Sequence, residues 1–257
     1  WQFRQADASD WLPAQVPGGV HTDLLATGLI PDPFIEDNEL EVQWVAEKDW
    51  YYRKTFVPEA KLLLEDRVYL VCDVLVTLAD VFLNGHLLGK TDNMFRQYRW
   101  EIKPHLLLGQ NEIAILFHSP VKYITQRFSE RRLTESWQAI NGGSYLRKAP
   151  CHFGWDWGPI LPAIGIWKEI RLEGYTTARL EDIHLRQQVQ YDKATLQANI
   201  AIEQWTPSPL DICLRLTAPH GNTSECRTAS DNGKALISIE VENPALWWPN
   251  GYGDQPL

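Results

Sequence analysis

The sequence lacks any apolar run long enough to cross a membrane. Its longest apolar stretches are interrupted by charged residues at Asp73, Asp80 and Lys103, whereas a transmembrane helix needs about 20 consecutive apolar residues. We therefore expect no membrane partner. A signal peptide is absent too, but the chain opens at Trp1, in the middle of a pattern and without a methionine. We expect that an upstream piece has been removed, so the missing leader says nothing about export.

Cysteine is scarce, and basic residues are fewer than acidic ones. The four cysteines show neither a C-x-x-C pair nor a Cys/His ligand spacing, so we predict isolated thiols, no metal site and no cofactor. Whether Cys213 and Cys226 face each other across a hairpin stays open at this stage. Lys and Arg number 24 against 33 Asp and Glu, a formal net charge of −9. A charge of this sign repels phosphate backbones, so we expect no nucleic-acid partner.

What the sequence does contain is a long series of short strand patterns. Its 257 residues, 44% of them apolar, suffice for two domains with separate cores. Strand patterns separated by polar turns run through residues 67–117, and Asn84-Gly85 within them suits a type I′ hairpin turn. This spacing predicts a β-sandwich of the jelly-roll kind. A helix is predicted at residues 20–29, with Thr22 or Asp23 as its cap, and another at residues 122–138.

A second series of strands begins after residue 178. Apolar and polar residues alternate strictly in residues 195–204, 212–217 and 237–242, which predicts a half-buried antiparallel sheet with Cys213 on its outer face. The sequence therefore predicts an all-β chain. Its first domain would cover residues 1–175 and its second residues 176–257.

Residues 147–159 concentrate aromatic residues, glycine and proline around one carboxylate. Proline lacks a backbone donor and glycine weakens regular elements, so this segment is predicted to be a built loop. Asp156 lies between Trp155 and Trp157, a pattern that suits a sugar site. A carboxylate can accept hydrogen bonds from two hydroxyls, and an indole can cover the C–H face of a pyranose. The alternative, which composition alone favours, is that these aromatic residues fill the mouth of a sandwich.

The loop resembles the HFGWDWGP signature of the β-mannosidases of glycoside hydrolase family 2. Other stretches resemble the same family in the same order along the chain, and a collinear series is more specific than any single motif. They are residues 16–25, 30–34, 50–56, 84–85, 91–96 and 246–253.

The resemblance implies the architecture of the whole protein. Members of the family have a non-catalytic jelly-roll domain of the galactose-binding kind, an immunoglobulin-like domain, and a (β/α)8 barrel that carries both catalytic glutamates. This chain would be the N-terminal part, with its immunoglobulin-like domain incomplete and the barrel missing. Retaining glycosidases need two carboxylates about 5 to 5.5 Å apart, and we assign no catalytic residue here. The remaining candidates are expected to be solvent-exposed: Glu130, Glu135, Glu169 and Glu173.

The resemblance also implies roles for loop residues. The loop would reach over the rim of the barrel, where Trp155 and Asp156 would line the pocket for the terminal mannose. Arg147, Lys148 and His152 match the motif as well and would hold the loop in place. For Phe153 and Trp157 we expect core packing. The complete enzyme would hydrolyse terminal non-reducing β-D-mannose, so its partners would be a β-mannoside and the barrel. A bacterial source would imply the periplasm or cytoplasm, and an animal source the lysosome.

Three other interpretations stay open. A jelly roll can be a free-standing carbohydrate-binding module, because fold alone does not assign function. Another family 2 specificity, such as a galactosidase or a glucuronidase, is a second interpretation, but residues 154–158 resemble the mannosidases and not those relatives. A purely structural or interaction protein is the third.

Overall fold

The computed structural model describes residues 1–134, 140–218 and 221–255. The chain divides into two compact units, Trp1–Gly174 and Tyr175–Leu257. Strands dominate both units, so the all-β class predicted from the sequence is confirmed. Within the described ranges, no helix is long and apolar enough to span a membrane.

The first unit is a sandwich of antiparallel strands. Its strands are β1 (Gln2–Gln5), β2 (Leu12–Pro13), β3 (Trp50–Phe56), β4 (Arg67–Cys72), β5 (Leu75–Val76), β6 (Ala79–Leu83), β7 (His86–Thr91), β8 (Tyr98–Glu101), β9 (Asn111–Phe117), β10 (Gly165–Ile166) and β11 (Ile170–Tyr175). One face is a sheet in the order β2-β1-β3-β9-β6-β7, and the facing strands are ordered β10-β5 and β11-β4-β8.

The core of this sandwich follows from alternation along its strands. Every second residue of β9 is buried, as the sequence predicts, because successive side chains in a strand point to opposite faces. In the register with β3, Ile115 lies opposite Tyr52 and Phe117 opposite Trp50. All four are buried, and full burial of one such apolar side chain contributes about 1.5–3 kcal/mol.

In the described part of this unit, four short helices connect the strands: α1 (Val20–Ala26), α2 (Asn38–Glu41), α3 (Ala60–Leu64) and α4 (Pro120–Glu130). The helix predicted at residues 122–138 corresponds to α4, which begins two residues earlier, at Pro120, and ends at Glu130. Ser119 caps α4 by accepting a hydrogen bond from the Lys122 amide, and the chain is extended at Arg131. The end predicted at Gln138 lies outside the described residues.

Helix α1 begins at Val20, as the sequence predicts, but its cap differs. The cap predicted at Thr22 or Asp23 is wrong, because the N-cap is Gly19, whose amide donates to Thr22 Oγ1. Gly28 follows the helix with a φ of +71°, the conformation that glycine supplies after a helix end. Asp23 instead turns inward, where its carboxylate accepts from the Tyr52 hydroxyl at 2.6 Å and the Gln15 amide at 2.9 Å.

The hairpin between β6 and β7 confirms the predicted turn. Asn84 and Gly85 both have positive φ, at 50° and 80°, as a type I′ turn requires. The Asn84 side chain also donates to the His105 carbonyl at 2.8 Å, which ties the turn to the next loop.

The second unit contains five strands within the described residues: β12 (Ala178–Val189), β13 (Lys193–Gln204), β14 (Asp211–Thr217), β15 (Thr223–Ala229) and β16 (Lys234–Glu242). They form a sheet in the order β12-β13-β16 and a pair β14-β15. The alternation predicted for residues 195–204 is confirmed, because Ala198, Ile200 and Ile202 are buried together with residues of β16.

The cysteine question is settled by the register of β14 and β15. Cys213 lies opposite Arg227, whereas Cys226 lies opposite Leu214. The two thiols are therefore not paired across the hairpin, and all four cysteines of the chain are free. Cys213 is exposed, as the alternation predicts.

Candidate functional site

The loop of residues 147–159 is anchored at its start by the segment that follows β7. Asn93 and Arg147 form a parallel bridge, and the Met94 amide donates to the Arg147 carbonyl at 3.0 Å. The Ala149 amide donates in turn to Met94 Sδ at 3.1 Å. The backbone of Arg147 thus fixes the entry to the loop, while its side chain is exposed.

Lys148 anchors the same loop through its side chain. It is only 3% exposed, and its Nζ donates to the Ala163 carbonyl and makes a long contact of 3.5 Å with Thr77 Oγ1. Burial lowers the pKa of this ammonium to about 7. Because Thr77 and Ala163 lie in separate segments, these contacts join the loop to the body of the sandwich.

His152 lies at the base of the loop, in a 3-10 turn at Pro150–Phe153. Burial, followed by the nearby charge of Lys148, lowers its pKa to about 4, and the same two causes lower the pKa of His21 to about 4. Both imidazoles are therefore neutral at pH 7. The Nδ1 atom of His152 is buried and has no hydrogen-bond partner within the described part of the chain.

Phe153 and Trp157 differ, although both were predicted to pack in the core. Phe153 is fully buried in a cluster with Ile124 and Leu146, so its prediction is confirmed. Trp157 is 77% exposed, so the prediction for it is wrong. Trp155 and Gly158 form an antiparallel bridge, which leaves the two residues between them at the tip of a tight turn, where a side chain does not reach the core.

Asp156 shares that tip with Trp157 and is exposed. The rings of Trp155 and Trp157 lie 5.3 Å apart at 59°, and Trp155 is half-buried. None of the described residues donates a hydrogen bond to the Asp156 carboxylate, so its acceptor positions face solvent. The structure thus brings Trp155 and Asp156 together at the tip and places Lys148 and His152 at the base.

The glutamates predicted to be solvent-exposed differ from one another in their exposure. Glu130 and Glu169 are exposed, as expected. Glu173 is half-buried, because it pairs with Arg99 at 3.0 Å and with Arg171 at 2.7 Å; the expectation for this residue is wrong. Glu135 lies outside the described residues. In the described ranges, no cluster of His, Cys, Asp and Glu is arranged to hold a metal ion.

One feature of the first unit was missed from the sequence. A cavity of about 280 Å³ lies beside the base of the loop and is lined by His21, Met94, His152 and Trp167, among others. His21 and Met94 lie in stretches that carry the family resemblance, residues 16–25 and 91–96. The presence of these two residues in those stretches was the sequence signal that could have pointed to the cavity.

Comparison with known proteins covers the chain from end to end. The family model "Glycosyl hydrolase 2 galactose-binding domain-like" matches residues 1–168, and "Glycosyl hydrolases family 2" matches residues 178–257. A curated relative, beta-mannosidase B of Thermothelomyces thermophilus, is 38% identical over all of this chain and 30% of its own length. Beta-mannosidase of Capra hircus is 34% identical over 99% of this chain and 31% of its own length.

Solved structures agree with these relatives. The beta-D-mannosidase of Dictyoglomus thermophilum superposes with a TM-score of 0.89 at 36% identity, over 99% of this chain and 32% of that one. The exo-chitosanase of Amycolatopsis orientalis superposes with a TM-score of 0.68 at 19% identity, over 98% of this chain and 30% of that one, and this likeness shows the fold alone.

The fold and the matches together define the β-sandwich domains of a glycoside hydrolase, a galactose-binding-like sandwich followed by an immunoglobulin-like one. The chain belongs to glycoside hydrolase family 2, and within that family it matches the N-terminal region of β-mannosidases. It spans about a third of the length of these relatives, 30% and 31% for the two named above.

Proposed function

We propose that this chain is the N-terminal, non-catalytic part of a retaining β-mannosidase, whose complete polypeptide hydrolyses terminal non-reducing β-D-mannose. Residues 1–175 and 176–257 serve as its two scaffold domains. The observation that carries the proposal is the exposed position of Asp156 beside two indoles, in a chain whose relatives are named β-mannosidases.

In this proposal the loop contributes recognition of the sugar. The Asp156 carboxylate has unused acceptor positions, so it can take hydrogen bonds from two sugar hydroxyls, and the half-buried Trp155 supplies an apolar wall. Enclosure of this tip by the barrel of the same polypeptide would remove water from the carboxylate. A sugar that leaves such an acceptor unpaired then binds worse, by about 1–3 kcal/mol per group.

The base of the loop supplies the rigidity that this role needs. A binding group is effective only when its neighbours hold it within a fraction of an ångström. Lys148 joins the loop to two other segments of the sandwich, and Phe153 is sealed in a small core of its own. The tip is therefore held by a base whose conformation is restricted by these contacts.

Cleavage itself is assigned to the rest of the polypeptide. Glu173 is engaged by two arginines, and Glu130 and Glu169 are exposed on the surface. We expect the 257-residue chain to show no turnover of an aryl β-mannoside above a buffer blank. Turnover that persists after removal of contaminating complete enzyme would contradict this assignment.

The recognition role is tested in the complete enzyme with Asp156→Asn. The amide keeps the size of the side chain but replaces one acceptor oxygen with a donor group and removes the charge. We expect kcat/KM for an aryl β-mannoside to fall about ten- to hundredfold, as loss of a hydrogen bond to a charged group implies. Asp10→Asn is the matched control, since Asp10 is exposed and outside the loop, and its kcat/KM should stay unchanged. Equal activity of both variants would refute the role.

A free-standing carbohydrate-binding module is the second candidate, favoured by the match of residues 1–168 to a galactose-binding-like domain. Calorimetric titration of the chain with mannose separates the two. A module binds the sugar by itself, and binding is lost in Trp155→Ala. If the chain supplies only one side of a pocket, titration with mannose gives no heat of binding that depends on Trp155.

A further inference from the structure

The cavity beside the base of the loop has firmly fixed walls. It measures about 280 Å³, and its lining includes His21, Val76, Met94, His152, Ile164 and Trp167. Two backbone hydrogen bonds close one side, from the Gly18 amide to Ile166 at 2.9 Å and from the Val20 amide to Ile164 at 2.8 Å. A cavity of this kind is largely pre-formed, which is typical of sites for small ligands.

A buried cation lies directly behind one wall. Lys148 Nζ donates to the carbonyl of Ala163, a residue that lines the cavity. Its other contact is the Thr77 hydroxyl, so both partners are neutral. Among the described residues, no carboxylate lies within 4 Å of this ammonium. A buried charge without a counter-charge costs several kcal/mol, and this cost is what depresses the pKa of Lys148.

The neighbouring side chains that the structure describes add two imidazoles and no carboxylate within 4 Å of Lys148 Nζ. His21 and His152 both line the cavity, and the charge of Lys148 contributes to the lowered pKa of each. His152 has a buried Nδ1 atom with no partner in the described chain. Cys151 also lies close to Lys148 and raises its pKa, against the larger effect of burial. The cluster thus holds two imidazoles and one amine that is cationic below about pH 7, in a chain whose net charge is −9.

We propose that this cavity is a binding site for a carboxylate, which is attracted by the charge of Lys148 behind the wall and accepts hydrogen bonds from the two imidazoles that line it. The rest of the wall decides which anion fits. Met94, Val76 and Trp167 offer an apolar surface for the hydrocarbon part of an acid, and a monoanion loses less solvation there than a phosphate does. The ligand class is therefore a small organic acid, either free or as the side chain of an Asp or Glu from elsewhere in the polypeptide.

The test is an NMR titration of the 257-residue chain, read at the imidazole C–H signals. Cyclohexanecarboxylate is the probe, and cyclohexanecarboxamide is its neutral isostere. A bound anion favours the charged form of each neighbouring imidazole, so the pKa values of His21 and His152 should rise from about 4 by about 1–3 units. The amide should leave them unchanged. His86, His105 and His118 do not line the cavity and serve as internal controls.

Two variants locate the site. Lys148→Met should abolish the saturable response to the acid, and Trp167→Ala should weaken it without altering any charge. Should Lys148→Met fail to fold, the comparison of acid with amide in the parent chain decides. Equal responses to acid and amide, or shifts of all histidines alike, would overturn the proposal.

The source of the carboxylate is decided by repeating the titration on the complete enzyme. If a side chain of the polypeptide fills the site, the pKa values of His21 and His152 are already raised, and added acid changes nothing. If the site takes a free acid, the complete enzyme responds as this chain does. Neither Trp155 nor Asp156 lines the cavity, so failure of this proposal leaves the function proposed for the loop untouched.

Discussion

At the scale of single residues, the most unusual chemistry lies around Lys148. Burial holds its pKa near 7, and burial together with this neighbouring charge holds the pKa of His21 and His152 near 4. The unperturbed values are about 10.4 for Lys and about 6.5 for His. All three groups therefore resist protonation in the folded chain more than in the unfolded one.

This resistance predicts how stability depends on pH. Between about pH 4 and 6.5 the unfolded chain protonates His21 and His152 while the folded chain does not, so stability falls as pH falls through that window. Each group contributes on the order of 3 kcal/mol at most. We expect urea unfolding of His21→Gln to show a smaller loss between pH 6.5 and 4 than the parent. His86→Gln, at an exposed position, is the control and should behave like the parent.

The contrast between Phe153 and Trp157 makes a second prediction. Phe153 is fully buried, whereas Trp157 is 77% exposed four residues later. Phe153→Ala should lower the free energy of unfolding by about 3–5 kcal/mol, because it leaves a cavity as well as losing burial. Trp157→Ala should change it by no more than about 0.5 kcal/mol. Similar losses from the two variants would show that the loop packs differently.

At the scale of elements, the close crossing of residues 18–19 with β10 fixes the wall of the cavity. Gly165 has a φ of +150°, and a Cβ there would lie 2.6 Å from Gly19 Cα and 2.7 Å from the Gly18 carbonyl oxygen. The contact is between backbones, so neither side can give way by moving a side chain.

Gly165→Ala is therefore predicted to destabilise the first unit. Strain at this φ and the overlap with the facing backbone should together cost about 2–4 kcal/mol, measured as a fall in the urea midpoint. Gly109→Ala is the control, since an added Cβ there meets nothing within 4 Å, and its midpoint should stay close to that of the parent. An unchanged midpoint for Gly165→Ala would mean that the crossing is looser than described.

Elements with a strong local signal were predictable from the sequence. The alternation in β9 and β13 and the positive φ of Asn84 and Gly85 follow from rules that act within a few residues. The end of α4 and the half-burial of Glu173 did not follow. The half-burial of Glu173 depends in part on Arg99, which lies 74 residues away in the sequence, and no local pattern encodes that pairing.

At the scale of the whole molecule, the two units have cores of different size. The first has a large cluster of buried apolar side chains together with a smaller one around Phe153. The buried cluster of the second consists of five residues, two of them alanine. Since burial of apolar surface is the main stabilising contribution, most of the stability within the described residues lies in the unit that carries the loop.

The family and the class of fold could be predicted from the order of motifs along the sequence, and both are confirmed. The candidate loop was predicted as well, with its residues Trp155 and Asp156, and their roles stay a prediction. The exposure of Trp157 and the cavity behind Lys148 could not be predicted. A turn tip and a cavity arise from how separate segments meet, and His21 and His152 lie far apart in the sequence.

The most direct test of the account is a crystal structure of the complete enzyme with a non-hydrolysable β-mannoside bound. We predict that an Asp156 carboxylate oxygen lies about 2.5–3.0 Å from a hydroxyl of the terminal mannose, with the Trp155 indole against a C–H face of the same sugar. A mannoside bound in the catalytic pocket with neither residue in contact with it would contradict the account.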